Sequence, residues 1–474
     1  MLQPPKKKKK KKKKRGHLFC NEIIIIKYSK MSSTNEPVKY LTADDHIPCK
    51  RCQAEDSVLV SRKEPFCKKC FLRFIRGKQR RQMNHEKFKV KYNKTAEQPE
   101  RILLAFSGGL SSLVLLDIMV SLLKEQKEMH RDRQGFELLI VAIDESNLKA
   151  FQNNISDIIT SLAAYMDFQI NYKILDINNF FADSHLLKTI TIDEDYSAWC
   201  SSIQHDKTYT YQDIVNMCPD KSSTEDVLSI IFSKLLLTTA EAESCQTIIY
   251  ANSMTRLANE VLAMIVRGRG AEVHQKVSDS VQKYNGKEIE VIFPLRDVLF
   301  AEVEAYAQLT GLESYMLQEV NPKSGKIVRN MTVRDLTTGY FKNLDATGYA
   351  STASTVVKTA EKLGETRSKQ DRLCSFCGTD LQKDPEEWLR NITVSQPAPL
   401  VTEEDHNNYA EYLSSSLSHH KGAAHDQRLP LGVCYGCMVT LRGGGSQANS
   451  IVWPVAESNS SDQKVLDEYI ISDE

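Results

Sequence analysis

Long hydrophobic runs are missing from this sequence: near its start the longest is Ile23 to Ile26, far below the roughly 18 residues that a bilayer-crossing helix needs. The lysine run ahead of those isoleucines is followed by no small-residue cleavage site, which excludes a conventional signal peptide. The chain's glycine-rich turn contains neither a Gly-Lys-Ser/Thr phosphate loop nor the GxGxxG dinucleotide fingerprint, so those two nucleotide-binding classes are excluded there. No repeat of fixed period occurs; only the spacing Cys-x-x-Cys recurs. What remains is the composition of a soluble, intracellular protein with no membrane partner. Its 474 residues are 41% hydrophobic, enough for two or three domains of roughly 100–200 residues each.

Acidic residues are absent from the first fifteen positions, which hold Lys6 to Lys14 and Arg15. Those ten positive charges, set against a net charge of +1, leave −9 for the remainder. Such a block stays solvated and disordered. It has the form of a nuclear localisation signal, of a nucleic-acid arm, or of an upstream extension ahead of Met31-Ser32-Ser33-Thr34, and the last is the preferred reading.

Composition divides the chain further. Residues 1–46 read as a disordered basic tail and 47–95 as a cysteine module with a basic helix. Residues 96–320 alternate apolar runs with amphipathic patterns, the mark of βαβ units and a mostly parallel sheet. A polar, Asp- and Ser-rich stretch, 177–225, reads as a mobile insertion. Residues 321–372 are Thr-, Lys- and Gly-rich with weak periodicity and read as a connection. A second cysteine segment spans 373–456, and 457–474 form an acidic tail.

Arg101 to Phe106 is a short apolar run of buried-strand type that stops at Ser107-Gly108-Gly109. Leu113, Leu116, Val120 and Leu123 then line one face of a helix. A strand, a glycine turn and a helix bring free backbone N–H groups and the positive helix end to one point, which suits a phosphate. Ser107, Gly108, Gly109, Ser111 and Ser112 are the candidate nucleotide-binding residues. Further strands are expected over Glu137 to Ile143 and Gln169 to Asp176.

Of twelve cysteines, eight fall into four CxxC pairs: Cys49/Cys52, Cys67/Cys70, Cys374/Cys377 and Cys434/Cys437. The first two pairs lie 14 residues apart and the last two 56. Two-residue gaps let both sulfurs of a knuckle reach one tetrahedral centre at about 2.3 Å. Two structural zinc sites are expected, each closed by four thiolates. Cys200, Cys218 and Cys245 stand singly and read as ordinary core or insertion residues.

Residues 62–94 carry thirteen Lys or Arg against Glu64 and Glu86, with Phe71, Phe74, Phe88 and Tyr92 interleaved. Basic residues beside a zinc knuckle make a footprint for a phosphate backbone. Arg73, Arg76, Lys78, Arg80 and Arg81 are the candidate RNA-binding residues; a solvated helix face is the alternative.

The loop Ser107 to Ser112 resembles the SGGxDS motif of the PP-loop ATP pyrophosphatases, in particular their tRNA-thiolating branch. Tyr250 to Leu262 is similar to that branch's TGHNADDxAETVL helix, and Arg267-Gly268 to its LLRGD. Pro294-Leu295-Arg296, with Glu302 and Tyr306, resembles PLR…E…Y. The order of parts from Cys49 to Pro454 is similar to the degenerate partner-subunit family of the eukaryotic wobble-uridine thiolase. The resemblance implies an α/β fold with a mostly parallel sheet of the PP-loop, adenine nucleotide alpha hydrolase-like type, flanked by zinc ribbons. It implies a cytoplasmic heterodimer with an active PP-loop paralogue. That complex would thiolate carbon 2 of the wobble uridine in tRNAs for lysine, glutamate and glutamine, with sulfur from a thiocarboxylated ubiquitin-related modifier.

The departures from the motif bear on activity. Active members read SGGKDS; here Leu110 stands at the lysine and Ser111 at the aspartate. Leucine cannot neutralise phosphate charge, and serine is a poor magnesium ligand beside a carboxylate. Thr255 and Arg256 replace the paired aspartates of the second block. Such a cradle can still bind ATP, but it is poorly equipped to transfer an adenylyl group. The expectation is therefore a supporting subunit with no catalytic residue of its own. An adenylating sulfurtransferase and a zinc-dependent RNA-binding protein with a vestigial nucleotide site are the alternatives.

Overall fold

The structure is a computed structural model. It describes residues 37–42, 46–92, 99–147, 149–187, 189–190, 192–193, 209–320, 331–364, 373–381, 400–422, 432–442 and 456–457. The lysine run, Met31, Cys200 and nearly all of the acidic tail lie outside them.

The chain opens with a three-stranded antiparallel sheet: β1 (Val38–Tyr40), β2 (Leu59–Ser61) and β3 (Glu64–Phe66). Arg62 and Lys63, both at positive φ (49° and 66°), form the two-residue turn between β2 and β3. That is the mirror-type hairpin turn, normally given to Gly or Asn. Helix α1 (Lys68–Gln82) follows and buries Phe71 and Ile75, four residues apart on one face.

The central sheet comprises β4 (Glu100–Phe106), β5 (Phe136–Asp144), β6 (Asn171–Asp176), β7 (Thr247–Tyr250), β8 (Ser280–Tyr284) and β9 (Lys287–Ile292). Its order is β6-β5-β4-β7-β9-β8, parallel throughout except for the antiparallel edge strand β8. Alternation along the strands sorts the core into two layers. Ile102, Leu104 and Phe106 of β4 join one cluster with helices α2 (Leu110–Met129), α3 (Ile155–Met166) and the amino-terminal module. Leu103 joins the other, with α4 (Lys221–Ala242), α5 (Met254–Val266) and the second cysteine segment. Helix α6 (Phe300–Thr310) covers the first face, where Tyr306 is fully buried.

Two stretches differ from their sequence reading. Residues 333–346 and 351–362, expected as a connection, are helices α7 (Val333–Ala346) and α8 (Ser351–Lys362) packed on α5. Their buried stripe is thin, with Phe341 on α7 and Ala353, Val357 and Ala360 on α8, so hydropathy periodicity is weak. Within 177–225, Phe180, Phe181, Tyr211 and Ile214 are buried in the main core. The Tyr211 N–H donates to Asn178 Oδ1 at 3.3 Å, which ties the two ends of the stretch together. Residues 188, 191 and 194–208 lie outside the described residues.

Candidate functional site

The strand order reverses at β4: the chain leaves it toward β5 and β6 and returns on its other flank as β7. Ligands of open α/β sheets bind in the crevice at such a switch point. The loop after β4 and the loop after β7 lie side by side there, since Ala105 pairs in register with Tyr250. Gly108 has φ +70°, and a Cβ there would lie 2.8 Å from the Leu317 Cβ. The Leu317 N–H donates to the Gly108 carbonyl at 2.9 Å. The segment after α6 thus lies directly against the loop.

Inside the loop the serines are unequal. Ser107 is exposed and Ser111 half-buried. Ser112 is buried, its hydroxyl donating back to the Gly109 carbonyl at 2.8 Å, so it is engaged by the loop's own backbone instead of facing a ligand. Leu110 turns its side chain to the apolar cluster. In the second block the Thr255 hydroxyl accepts from the Phe300 N–H at 3.1 Å, and Ser253 caps α5 by accepting from the Arg256 N–H. Both are occupied in holding backbone.

The cysteines converge as their spacing predicts. Cys49, Cys52, Cys67 and Cys70 form one group with all sulfurs within 4.8 Å of one another, and Cys374, Cys377, Cys434 and Cys437 form a second. Cys52 and Cys67 sulfurs lie 3.8 Å apart, and Cys377 and Cys434 3.6 Å. A tetrahedron with metal–sulfur bonds of about 2.3 Å has edges of about 3.8 Å, so the residues fit a tetrahedral metal ion. All eight are free of disulfides. Burial raises the Cys49 thiol, but backbone N–H groups of Cys52, Cys67 and Arg51 outweigh it and bring it down to about 6.

The second group is built into the α/β domain. Gly268 has φ +73°, and a Cβ on it would lie 2.5 Å from the Tyr435 ring; a Cβ on Gly436 would strike Arg269. Arg269 is buried, donating to Glu272 Oε1 at 3.1 Å, to Thr440 Oγ1 at 2.9 Å and toward the Cys437 sulfur at 3.6 Å. Beside it Asp226 receives Arg267 and Arg334, each at 2.9 Å. Burial raises the Asp226 carboxyl, yet Arg269, Arg334 and Arg267 hold it below its ordinary value. The single cysteine Cys245 is buried and Cys218 partly so; burial pushes each thiol up to about 11, as befits packing residues.

The basic stretch divides in two. Lys78, only 7% exposed, donates to Glu302 Oε2 at 2.9 Å. Glu302 is itself fully buried and also accepts from Arg62 (2.8 and 3.1 Å), Ser61 (3.0 Å) and its own cap N–H at Leu299 (2.9 Å). Burial takes the Lys78 ammonium down to about 8. Arg76 donates to the Tyr306 hydroxyl at 3.0 Å, which in turn donates to Asp117 at 2.6 Å. Arg80 pairs with Glu125. Lys78 is therefore committed to Glu302, although its side chain borders the same hollow as Arg73 and Arg81, and Arg76 and Arg80 are engaged by α2 and α6. Arg73 and Arg81 are exposed and have no acidic partner among the described residues. The sequence reading missed that Glu302 and Tyr306 hold the amino-terminal module to the domain, although both stand in the motif segment.

A mostly parallel sheet of this order, a glycine loop at its switch point without lysine or carboxylate, and two four-cysteine centres define a degenerate PP-loop protein. The family model for cytoplasmic tRNA 2-thiolation protein 2 matches residues 332–439. Proteins of that name from Debaryomyces hansenii and Scheffersomyces stipitis are 47% and 48% identical, each over 93% of this chain and 99% of the relative. The chain belongs to the cytoplasmic tRNA 2-thiolation protein 2 family. Among solved structures, the U34-tRNA thiolase NcsA from Methanococcus maripaludis, determined with its 4Fe–4S cluster, is 15% identical. It superposes with a TM-score of 0.46 over 74% of this chain and 98% of that one. Among the described residues, no helix is long and apolar enough to cross a membrane.

Proposed function

We propose that this chain is the supporting, non-adenylating subunit of a cytoplasmic complex that thiolates carbon 2 of the wobble uridine in tRNAs for lysine, glutamate and glutamine. Its partner is a PP-loop paralogue with an intact SGGKDS loop, which activates the base with ATP and receives sulfur from a thiocarboxylated ubiquitin-related modifier. One observation carries the reading: Leu110 and Ser111 occupy the first turn of α2, where an active loop needs a cation and a magnesium ligand, and the half-buried Leu110 packs against the apolar core. Stabilising charge that develops in a transferring group requires preorganised partners, and losing one commonly costs about 10²–10³ in rate. This loop lacks two. Ser107, Gly108, Gly109, Ser111 and Ser112 retain at most the capacity to hold a phosphate of ATP.

Both four-cysteine groups hold zinc in a structural role, since four thiolates leave no open position for a substrate. The family name and the exposed arginines of α1 support tRNA as the ligand. Reconstitution tests the whole proposal: the chain alone, given ATP, magnesium, tRNA and a sulfur donor, forms no thiouridine, and adding the paralogue raises thiouridine above what the paralogue forms alone. Thiouridine formed by the chain alone, or no gain over the paralogue alone, would overturn it.

A further inference from the structure

Helix α1 carries its cations on two sides. Those at 76, 78 and 80 are taken up by Tyr306, Glu302 and Glu125. Those at 73 and 81 face an open groove of about 380 Å³ that Arg51, Phe74 and Gly77 also line. A second hollow of about 300 Å³ adjoins it, sharing Arg51, Phe74 and Arg81 and adding Arg62. Phe74 stacks on Phe66 with ring centres 5.1 Å apart, and the Lys78 ammonium and the Arg51 guanidinium lie 4.3 and 5.3 Å from the Phe74 ring. The floor is thus aromatic with Lys78 beside it, and the rim is cationic except for Glu64, which pairs with Arg51 at 3.5 Å.

Gly77 is the second observation. It sits mid-helix, exposed, and a Cβ there would meet nothing within 4 Å. Glycine in a helix interior costs roughly 0.5–1 kcal/mol relative to alanine, and nothing in the fold requires it here. It falls one turn from both Arg73 and Arg81, so the bare stretch lies between two guanidinium groups that have no acidic partner among the described residues. A helix face without a side chain, bracketed by arginines over an aromatic floor, lets a flat ring and its phosphates come close to the backbone.

We propose that this groove holds one unpaired nucleotide of the bound RNA, its base against Phe74 and Arg51 across the gap at Gly77 and its flanking phosphates on Arg73 and Arg81. The inference rests on the reading of the chain as a tRNA-holding subunit and adds where the RNA sits and in what form. An aromatic face and arginine planes bind bases of any identity, so the site reads single-strandedness in place of sequence. Cys52 and Cys70 line the same groove, so the amino-terminal metal centre would shape it.

The test uses the purified full chain and a fluorescent single-stranded oligoribonucleotide, titrated at several salt concentrations. Arg73→Ala with Arg81→Ala should weaken binding at least about tenfold and flatten the log–log salt slope by about 1.4, as expected for two lost phosphate contacts to a single strand. Gly77→Leu fills the gap with a better helix former. It should weaken binding about tenfold while the melting temperature stays level or rises. Lys283→Ala with Lys287→Ala, of equal charge change on the edge hairpin formed by β8 and β9, should leave binding unaltered. An RNA duplex of equal length should compete poorly. Failure of the unaltered chain to bind, equal binding by the Gly77→Leu chain, or equal competition by duplex would each overturn the groove. None of these outcomes touches thiouridine formation by the reconstituted pair, so the site and the function fail separately.

Discussion

Replacing Glu302 by alanine should detach the amino-terminal module from the α/β domain. The carboxylate is fully buried and accepts bonds at 2.8 to 3.1 Å from Arg62, Lys78, Ser61 and the Leu299 N–H. Alanine leaves the Lys78 ammonium buried without its counter-charge, and breaking a buried pair this way costs about 3–5 kcal/mol. Arg62 is 40% exposed at its side chain and can turn to water, so it adds little. The strained positive φ at Arg62 and Lys63 loses the bonds that oppose it. Urea denaturation should show the loss, and hydrogen exchange should rise first in α1 and α6. A double change, Glu302→Leu with Lys78→Met, removes both charges and fills the space, so it should recover most of the stability. A loss below about 1 kcal/mol for Glu302→Ala would refute the reasoning, because surface pairs already account for that much.

Other consequences follow from the same geometry. The chain purified under reducing conditions should carry two zinc ions by elemental analysis, and fewer than one per chain would contradict the sites; Cys52→Ser should unfold the amino-terminal module, since a structural metal contributes folding energy directly. Asp226→Ala leaves Arg267, Arg269 and Arg334 short of a counter-charge and should destabilise the carboxy-terminal cysteine segment by about 3–5 kcal/mol, seen as faster zinc release to a chelator. Although burial raises the Glu302 carboxyl, Lys78 and Arg62 hold it below its ordinary value. Its contribution is therefore complete above about pH 4.5 and lost as pH falls through the folded value. Unfolding free energy should drop more steeply with acid in the parent chain than in Glu302→Gln, and parallel curves would count against the cluster. Ser107, Ser111 and Ser112 changed together to alanine should cost the reconstituted pair far less thiouridine than loss of the partner's loop lysine.

The parts of this fold that the sequence displays are those whose neighbours are close in the chain or chemically unmistakable. Arg101 to Phe106 and its glycine turn combine a continuous apolar run with a breaker, and the structure has β4, the loop and α2 there. The CxxC pairs need only local geometry to be recognised, and both groups assemble. Helices α7 and α8 were illegible because α8 shows the core only Ala353, Val357 and Ala360 among threonines, serines and lysines. Lys78 is the instructive miss. A lysine in a run of thirteen cations reads as solvated, and its counter-ion Glu302 lies 224 residues away. No periodicity can announce a pair of that separation. Only the motif segment that contains Glu302 and Tyr306 marked the place, without revealing what they hold.

The central claim, that this loop does not activate the base, is tested most directly by tRNA-dependent pyrophosphate release. The isolated chain, free of paralogue, is mixed with radiolabelled ATP, magnesium and unmodified tRNA, and adenylated RNA and pyrophosphate are counted in a single turnover. With Leu110 and Ser111 in place of the cation and the carboxylate, no tRNA-dependent release above background is predicted, while the paralogue under the same conditions releases it. Stoichiometric adenylated tRNA from the isolated chain would contradict the account and make the protein an enzyme in its own right.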